Sequence, residues 1–259
     1  MVAALPGRCV LLDRLATGWA KFENVEAEIA GYRAALAGSD ASHIALLTGT
    51  DYPLASTEEI QSVLSGLRGR SVANVFALPY SNWGASGGFS RLRYRHWAYR
   101  KHMLRLPLAR RLPSDVSFAG GSQLKVLSRD HAQAVVTAFD QHPDLVRFWR
   151  RSWVADETFI PSILNTARFV PNWPAEHVRA ELWWIGWEDT PMKSPPWLTL
   201  HHQTSVLARR RDGDSALPCL FARKFTTGLS DELLDLIDAT LRHTDSPTLT
   251  SSDPRRGES

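Results

Sequence analysis

The stretch Ile44-Ala45-Leu46-Leu47-Thr48-Gly49-Thr50-Asp51-Tyr52-Pro53, followed by Ser56-Thr57-Glu58-Glu59, decides the fold. It opens as a buried apolar strand, Ile44 to Leu47, breaks at the polar turn ending in Pro53, and restarts as a helix with Ser56 as N-cap. Upstream, Phe22, Val25, Ile29, Tyr32 and Leu36 recur at helical spacing, with Gly38 where a C-terminal cap belongs. Before that helix, Cys9-Val10-Leu11-Leu12 reads as a short strand, and Ala73 to Leu78 supplies the next one downstream. Strand, helix, strand, helix, strand is the order of an α/β fold with a mostly parallel sheet flanked by helices. Its ligand groups sit in loops after the carboxyl ends of strands, and Asp51 stands in such a loop.

Farther along, periodicity fades from Tyr80 to Ser114. Gly84, Gly87 and Gly88 loosen the chain, and arginines accumulate from Arg91 to Arg111, which reads as a long functional loop, solvated and flexible or shaping an anionic site. Order returns with Gly120-Gly121-Ser122-Gln123, a strand from Leu124 to Leu127, and a helix from about Arg129. A further helix is expected at Asp156-Glu157, with Pro161 tolerated in its first turn. Leu182 to Trp187 reads as a strand, and a last helix runs from Ser230 to about Arg242. Residues 1–244 make one domain, and residues 245–259 are polar enough for a disordered tail.

With 259 residues, 44% of them apolar, the chain is long enough to bury the core of one large domain. A net charge of +3 gives no global pull toward nucleic acid or membrane. Two cysteines far apart exclude both a zinc CxxC site and a secreted disulfide scaffold, and a reducing cytoplasm is the default. No apolar run reaches the length of a membrane span. There are ten tryptophans, several of them clustered at Trp183, Trp184, Trp187 and Trp197, and they serve core packing or carbohydrate stacking. His201-His202 lacks the spacing of a helical metal pair.

Four segments in order resemble the core-2/I-branching acetylglucosaminyltransferase and xylosyltransferase family. They are Gly18-Trp19 with Val25-Glu26-Ala27-Glu28; Leu46 to Leu54, similar to a motif LLSGxDYPL; Gly121-Ser122-Gln123, Leu127-Ser128-Arg129 and Ala155-Asp156-Glu157-Thr158-Phe159; and Leu220-Phe221-Ala222-Arg223-Lys224-Phe225. The resemblance implies a GT-A-like variant that inverts at the anomeric carbon, uses no divalent metal or other cofactor, and moves N-acetylglucosamine or xylose from a UDP-sugar to a hydroxyl of a glycan or related acceptor. The alternative is a silent carbohydrate-binding remnant. A nucleic-acid partner gains only faint support, from Tyr94, Trp97 and Tyr99 among the arginines. Family members carry two strands and a segment resembling HVDxK before the WG motif. Only about 18 residues precede Trp19, so the first nucleotide-binding strands are expected to be missing and donor binding by the chain to be poor. Eukaryotic relatives are Golgi membrane proteins; here a bacterial cytoplasmic protein, with peripheral contact at the inner membrane face, is expected.

Inverting transfer needs a base for the acceptor hydroxyl, and Glu157 is the candidate, with the like charge of Asp156 beside it raising its proton affinity. Read by spacing alone, the acidic pair would be a helix cap. The departing diphosphate needs fixed cations, for which the motif offers Lys224 and Arg223. Where the family supplies a second cation, this chain has Pro196 and Trp197, so Arg209, Arg210 or Arg211 would have to substitute. Asp51 either accepts hydrogen bonds from donor hydroxyls or caps its own turn. Asp156, Trp187, Ser122 and Gln123 complete the expected pocket, with Glu157 facing Lys224 across a cleft.

Overall fold

The computed structural model describes residues 9–99, 102–187, 194–211 and 217–242; the tail expected at 245–259 lies outside them. In chain order the elements are α1 (Glu23–Gly38), β1 (His43–Ala45), β2 (Asp51–Pro53), α2 (Thr57–Gly66), β3 (Ser71–Ala77), α3 (Ser90–Arg93), β4 (Tyr94–Tyr99), β5 (His102–Ala109), β6 (Ala119–Ser128), α4 (Arg129–Gln141), α5 (Pro143–Trp149), α6 (Phe159–Asn165), α7 (Trp173–Glu176), β7 (His177–Val178), β8 (Trp183–Ile185), α8 (Gln203–Arg211), β9 (Phe221–Arg223) and α9 (Asp231–Ile237).

Three sheets form. The first has the order β1-β6-β3-β7, the second β2-β9-β8, and β4 with β5 makes a hairpin. The expected mostly parallel sheet is corrected to mixed sheets. In the first, β6 is antiparallel to both β1 and β3, and only β7 runs parallel to β3. The cause is topological: β1 and β3 share a direction, as a strand-helix-strand crossover requires. The hairpin then returns the chain so that β6 inserts between them from the opposite direction.

Period-2 alternation along β6 sorts its side chains. Leu127 joins the cluster of Val25, Ile29, Tyr32, Val135, Trp149, Phe159 and Ile163, while Leu124 and Val126 pack on the other face with Leu67, Leu182, Trp183 and Phe221. The first cluster seats α1, α4 and α6 on one side of the four-stranded sheet; the second joins that sheet to the three-stranded one. A third cluster, with Leu54, Val206, Ala222, Leu233 and Ile237, packs α8 and α9 on the far face of the three-stranded sheet.

Ser56 caps α2 as its sequence predicts, accepting from the Glu59 amide at 3.2 Å. Residues 9–12 do not form the expected strand. Val10 and Leu11 are exposed and pair with no described strand; a short apolar run becomes a strand only against a partner edge. The described residues of the Arg91 to Arg111 segment are not the expected flexible loop: most of them form α3 and the β4–β5 hairpin.

Candidate active site

Asp156 and Glu157 sit in a single 3₁₀ turn, Ala155–Glu157, ahead of α6. Entry to that turn passes through Val154 at φ 50° and ψ 59°. A β-branched residue in the left-handed region is strained by about 1–3 kcal/mol, and a rigid surround must enforce it. Beyond the bend, Asp156 turns inward and Glu157 outward. Asp156 is buried and accepts from Asn24 Nδ2 at 3.2 Å. Its Oδ1 has no hydrogen bond of good geometry, the amides of Asp156 and Glu157 acting only as favourable dipoles. Burial therefore pushes its pKa up.

Glu157, 36% exposed at its side chain, pairs through Oε2 with Arg91. Burial also raises its pKa; the Arg91 charge and hydrogen bond pull it back, and Asp156 adds a smaller upward push. The like-charge effect expected from the sequence is thus present but subordinate to burial. Arg91 is fixed in turn. Its guanidinium lies 3.8 Å from the Trp83 ring centroid and 5.7 Å from that of Trp153. Trp83 is gripped between two glycines: a Cβ on Gly120 would come within 2.5 Å of the indole, and one on Gly88 within 2.7 Å. Arg110 staples the hairpin nearby, donating to the carbonyls of Leu92 and Phe148 and to Ser152 Oγ, with burial lowering its pKa to about 10. Arg91 and Trp83 were missed by sequence reasoning, which folded Arg91 into a solvated arginine run. The available signal was the Gly84, Gly87, Gly88 cluster just before it.

Below this pair lies a buried polar knot. Lys125 Nζ meets Glu28 Oε1 at 2.8 Å and donates to the Gln123 carbonyl at 2.7 Å, both charged side chains being fully enclosed. Tyr32 donates to the same Glu28 oxygen at 2.6 Å, and burial raises its pKa well above the usual phenol range. Ser122 Oγ accepts from the Leu124 amide at 3.1 Å. In the Gly-Ser-Gln motif, the backbone of Gln123 anchors Lys125. Gly121 lets β6 pass the Asn74 carbonyl, which an added Cβ would approach to 2.5 Å.

The cations belong to the other sheet. Asp51 pairs in register with Arg223 across β2 and β9. The Asp51 carboxylate is fully enclosed, accepting from the Thr48 amide at 2.8 Å and Thr48 Oγ1 at 2.9 Å, as a turn cap does. Arg223 Nε stands 3.5 Å from it, an ionic contact without hydrogen-bond geometry. Lys224 donates to Ser194 Oγ and lies 5.5 Å from the Trp197 ring centroid. Trp197, noted as the replacement for a second cation, is therefore a neighbour of the first one. Parallel pairing of β8 with β9 sets Ile185 beside Arg223, so Trp187, 57% exposed, and Lys224 leave the carboxyl ends of adjacent strands. The side chains of Arg209, Arg210 and Arg211 lie outside the described residues.

The structure thus gathers Asp156 and Glu157 with Arg91 and Asn24. Separately, it gathers Asp51, Arg223, Lys224 and Trp187. No contact among the described residues joins Glu157 to Lys224; each has its own partners. Among the described residues no three His, Cys, Asp or Glu side chains gather as metal ligands, and no helix is long and apolar enough to cross a membrane.

The family model of the core-2/I-branching enzymes matches residues 2–206, a span that holds Asp156 and Glu157 and ends before Arg223 and Lys224. Xylosyltransferase 2 from Rattus norvegicus, from Mus musculus and from Homo sapiens are each 24% identical over 208 residues, covering 74% of this chain and 22% of the relative. The chain spans about a fifth of the length of these curated relatives.

Proposed function

The chain belongs to the core-2/I-branching enzyme family, and from that premise we propose that it is an inverting, metal-independent glycosyltransferase with Glu157 as its general base. The donor is a UDP-sugar carrying N-acetylglucosamine or xylose, and the acceptor is a hydroxyl of a glycan or related molecule. The observation that carries the reading is the Glu157–Arg91 pair. A half-exposed carboxylate, raised in proton affinity by burial, is pinned by a cation that is itself stacked on Trp83. Arg91 occupies Oε2 and leaves Oε1 to accept the acceptor proton.

As that proton moves to Glu157, the acceptor oxygen attacks the anomeric carbon from the side opposite the diphosphate. The bond from that carbon to the diphosphate oxygen breaks, and its electron pair leaves with UDP. Lys224 is the cation assigned to the departing charge. Arg223, tied to Asp51, orders the strand that presents it. Trp187 offers an exposed indole beside Lys224 on which a sugar or uracil ring can pack.

Transfer is tested by following UDP release from UDP-N-acetylglucosamine and UDP-xylose with wild type and Glu157→Gln. The variant is expected to lose about 10²–10⁴-fold in kcat, the worth of a positioned base, while donor affinity by calorimetry stays within about threefold. Near-normal turnover in the variant rejects Glu157 as the base.

A further inference from the structure

The loop that ends at Glu157 begins at a cavity. Arg150 and Arg151 follow α5, and between them, the start of α1 and the hairpin lies a space of about 350 Å³. Its walls include Lys21, Glu23, His96, Trp97, Met103 and Arg151. His96 and Met103 also border a smaller space of about 180 Å³ that is lined as well by Ser90, Arg105 and Trp153. The Trp153 amide donates to the Arg91 carbonyl at 3.0 Å, and its ring flanks the guanidinium that holds Glu157. Two cavities that share walls therefore run from the hairpin to within one side chain of the base.

The lining has a definite chemistry. Arg150 is neutralised by Glu26, but neither Lys21 nor Arg151 has a carboxylate partner among the described residues. Glu23 opposes them with a single charge. Arg151 stands 5.1 Å from the Trp97 ring centroid, so an anion gripped by its fork lies beside an indole surface suited to a pyranose ring. His96 Nδ1 lies 3.1 Å from the Tyr94 carbonyl, and burial lowers the ring's pKa. A neutral ring donating through Nδ1 leaves Nε2 to accept from a hydroxyl.

We infer that this cavity is a subsite for an acidic acceptor saccharide, its carboxylate held between Lys21 and Arg151 and its ring packed on Trp97, beyond the hydroxyl presented to Glu157. The inference rests on Glu157 being the base and adds the charge class of the acceptor. An acidic saccharide, unlike a simple anion, uses every part of the lining: the cations, the indole and the hydroxyl acceptor of His96.

The test is direct binding of 3′-sialyllactose and of lactose, which share a neutral core, followed by tryptophan fluorescence and calorimetry. Sialyllactose is expected to bind about tenfold more tightly than lactose, the difference one charged hydrogen-bonded contact makes. Arg151→Ala and Lys21→Ala, each checked for an unchanged melting temperature, should each remove most of that preference and leave lactose binding as it was. Equal binding of the two sugars, no binding of sialyllactose up to about 10 mM, or a preference unaffected by both variants overturns the subsite. Glu157→Gln should bind sialyllactose as wild type does. A protein that discriminates the sugars yet transfers normally without Glu157 therefore fails the catalytic reading alone. One that needs Glu157 but ignores acceptor charge fails the subsite alone.

Discussion

The two halves of the candidate site are built in opposite ways. The carboxylate half stands over the four-stranded sheet, where a strained Val154, a stacked Arg91, a glycine-gripped Trp83 and the buried Lys125–Glu28 pair leave each side chain one position. The cation half sits at the carboxyl ends of β8 and β9. There Lys224, half-buried, contacts a serine hydroxyl and an indole, while Arg223 is the one of the two tied to a carboxylate among the described residues. A base must meet one hydroxyl proton in one direction, so its orientation has to be fixed before the substrate arrives. A charge that stabilises a leaving diphosphate acts over a longer range and tolerates a flexible four-carbon stem. On the proposed assignment of Glu157 and Lys224, rigidity is concentrated where direction matters.

The contrast is tested hardest at Lys125. Lys125→Met strands the Glu28 carboxylate in the core with one oxygen already lacking a hydrogen bond, and is expected to cost about 3–5 kcal/mol in urea unfolding. Adding Glu28→Gln should return much of that loss, because the uncompensated charge, more than the missing pair, is the penalty. Lys224→Ala, by comparison, should stay within about 0.5 kcal/mol of wild type. Similar losses for the two lysines would erase the distinction between the halves.

A second, smaller effect sharpens it. Gly120→Ala places a methyl where the Trp83 indole lies, 2.5 Å away, and either the ring or β6 must move. Overpacking of this kind costs about 1–3 kcal/mol. If Trp83 yields, the guanidinium of Arg91 loses its platform, and Glu157 loses part of the charge that pulls its pKa down. The acid limb of kcat/KM should then move to higher pH. A destabilised variant with an unmoved acid limb would show that Trp83 supports the fold and leaves Glu157 alone.

Local chemistry was legible and distant partnership was not. Ser56 announced its cap within four residues, and the 25, 29, 32 stripe of α1 announced its buried face. The insertion of β6 between β1 and β3 depends on pairings 42 to 85 residues apart, which no window of sequence contains. Arg91 looked like one arginine of many because its partner is 66 residues away. Glu28 lay inside the apolar stripe of α1, a polar residue out of place, and Lys125 stood between Leu124 and Val126. Each was a visible anomaly; only the fold shows that the two explain each other. The glycines of the Gly-Gly-Ser-Gln motif were equally plain, yet their cause is an indole and a carbonyl that approach from elsewhere in the chain.

The gentlest perturbation is Asp156→Asn, and pH gives it a signature. Asp156 has a folded pKa above its unfolded one because of burial, so the folded state binds the proton more readily than the unfolded chain. Stability is then greatest below the unfolded value of about 3.9 and falls as pH rises through the window up to the raised folded pKa. The asparagine carries no charge to bury and keeps an oxygen for Asn24, so at neutral pH the variant should be the more stable by on the order of 1 kcal/mol. That advantage should shrink as pH falls and vanish once the wild-type carboxyl is protonated in both states. The same substitution removes the negative neighbour that nudges Glu157 upward, so the acid limb of activity should shift slightly to lower pH. Urea titrations of both proteins from about pH 4 to pH 8 measure the first effect. A stability difference that does not change with pH would mean that the buried carboxylate costs the fold nothing, and that the carboxylate half is held by shape alone.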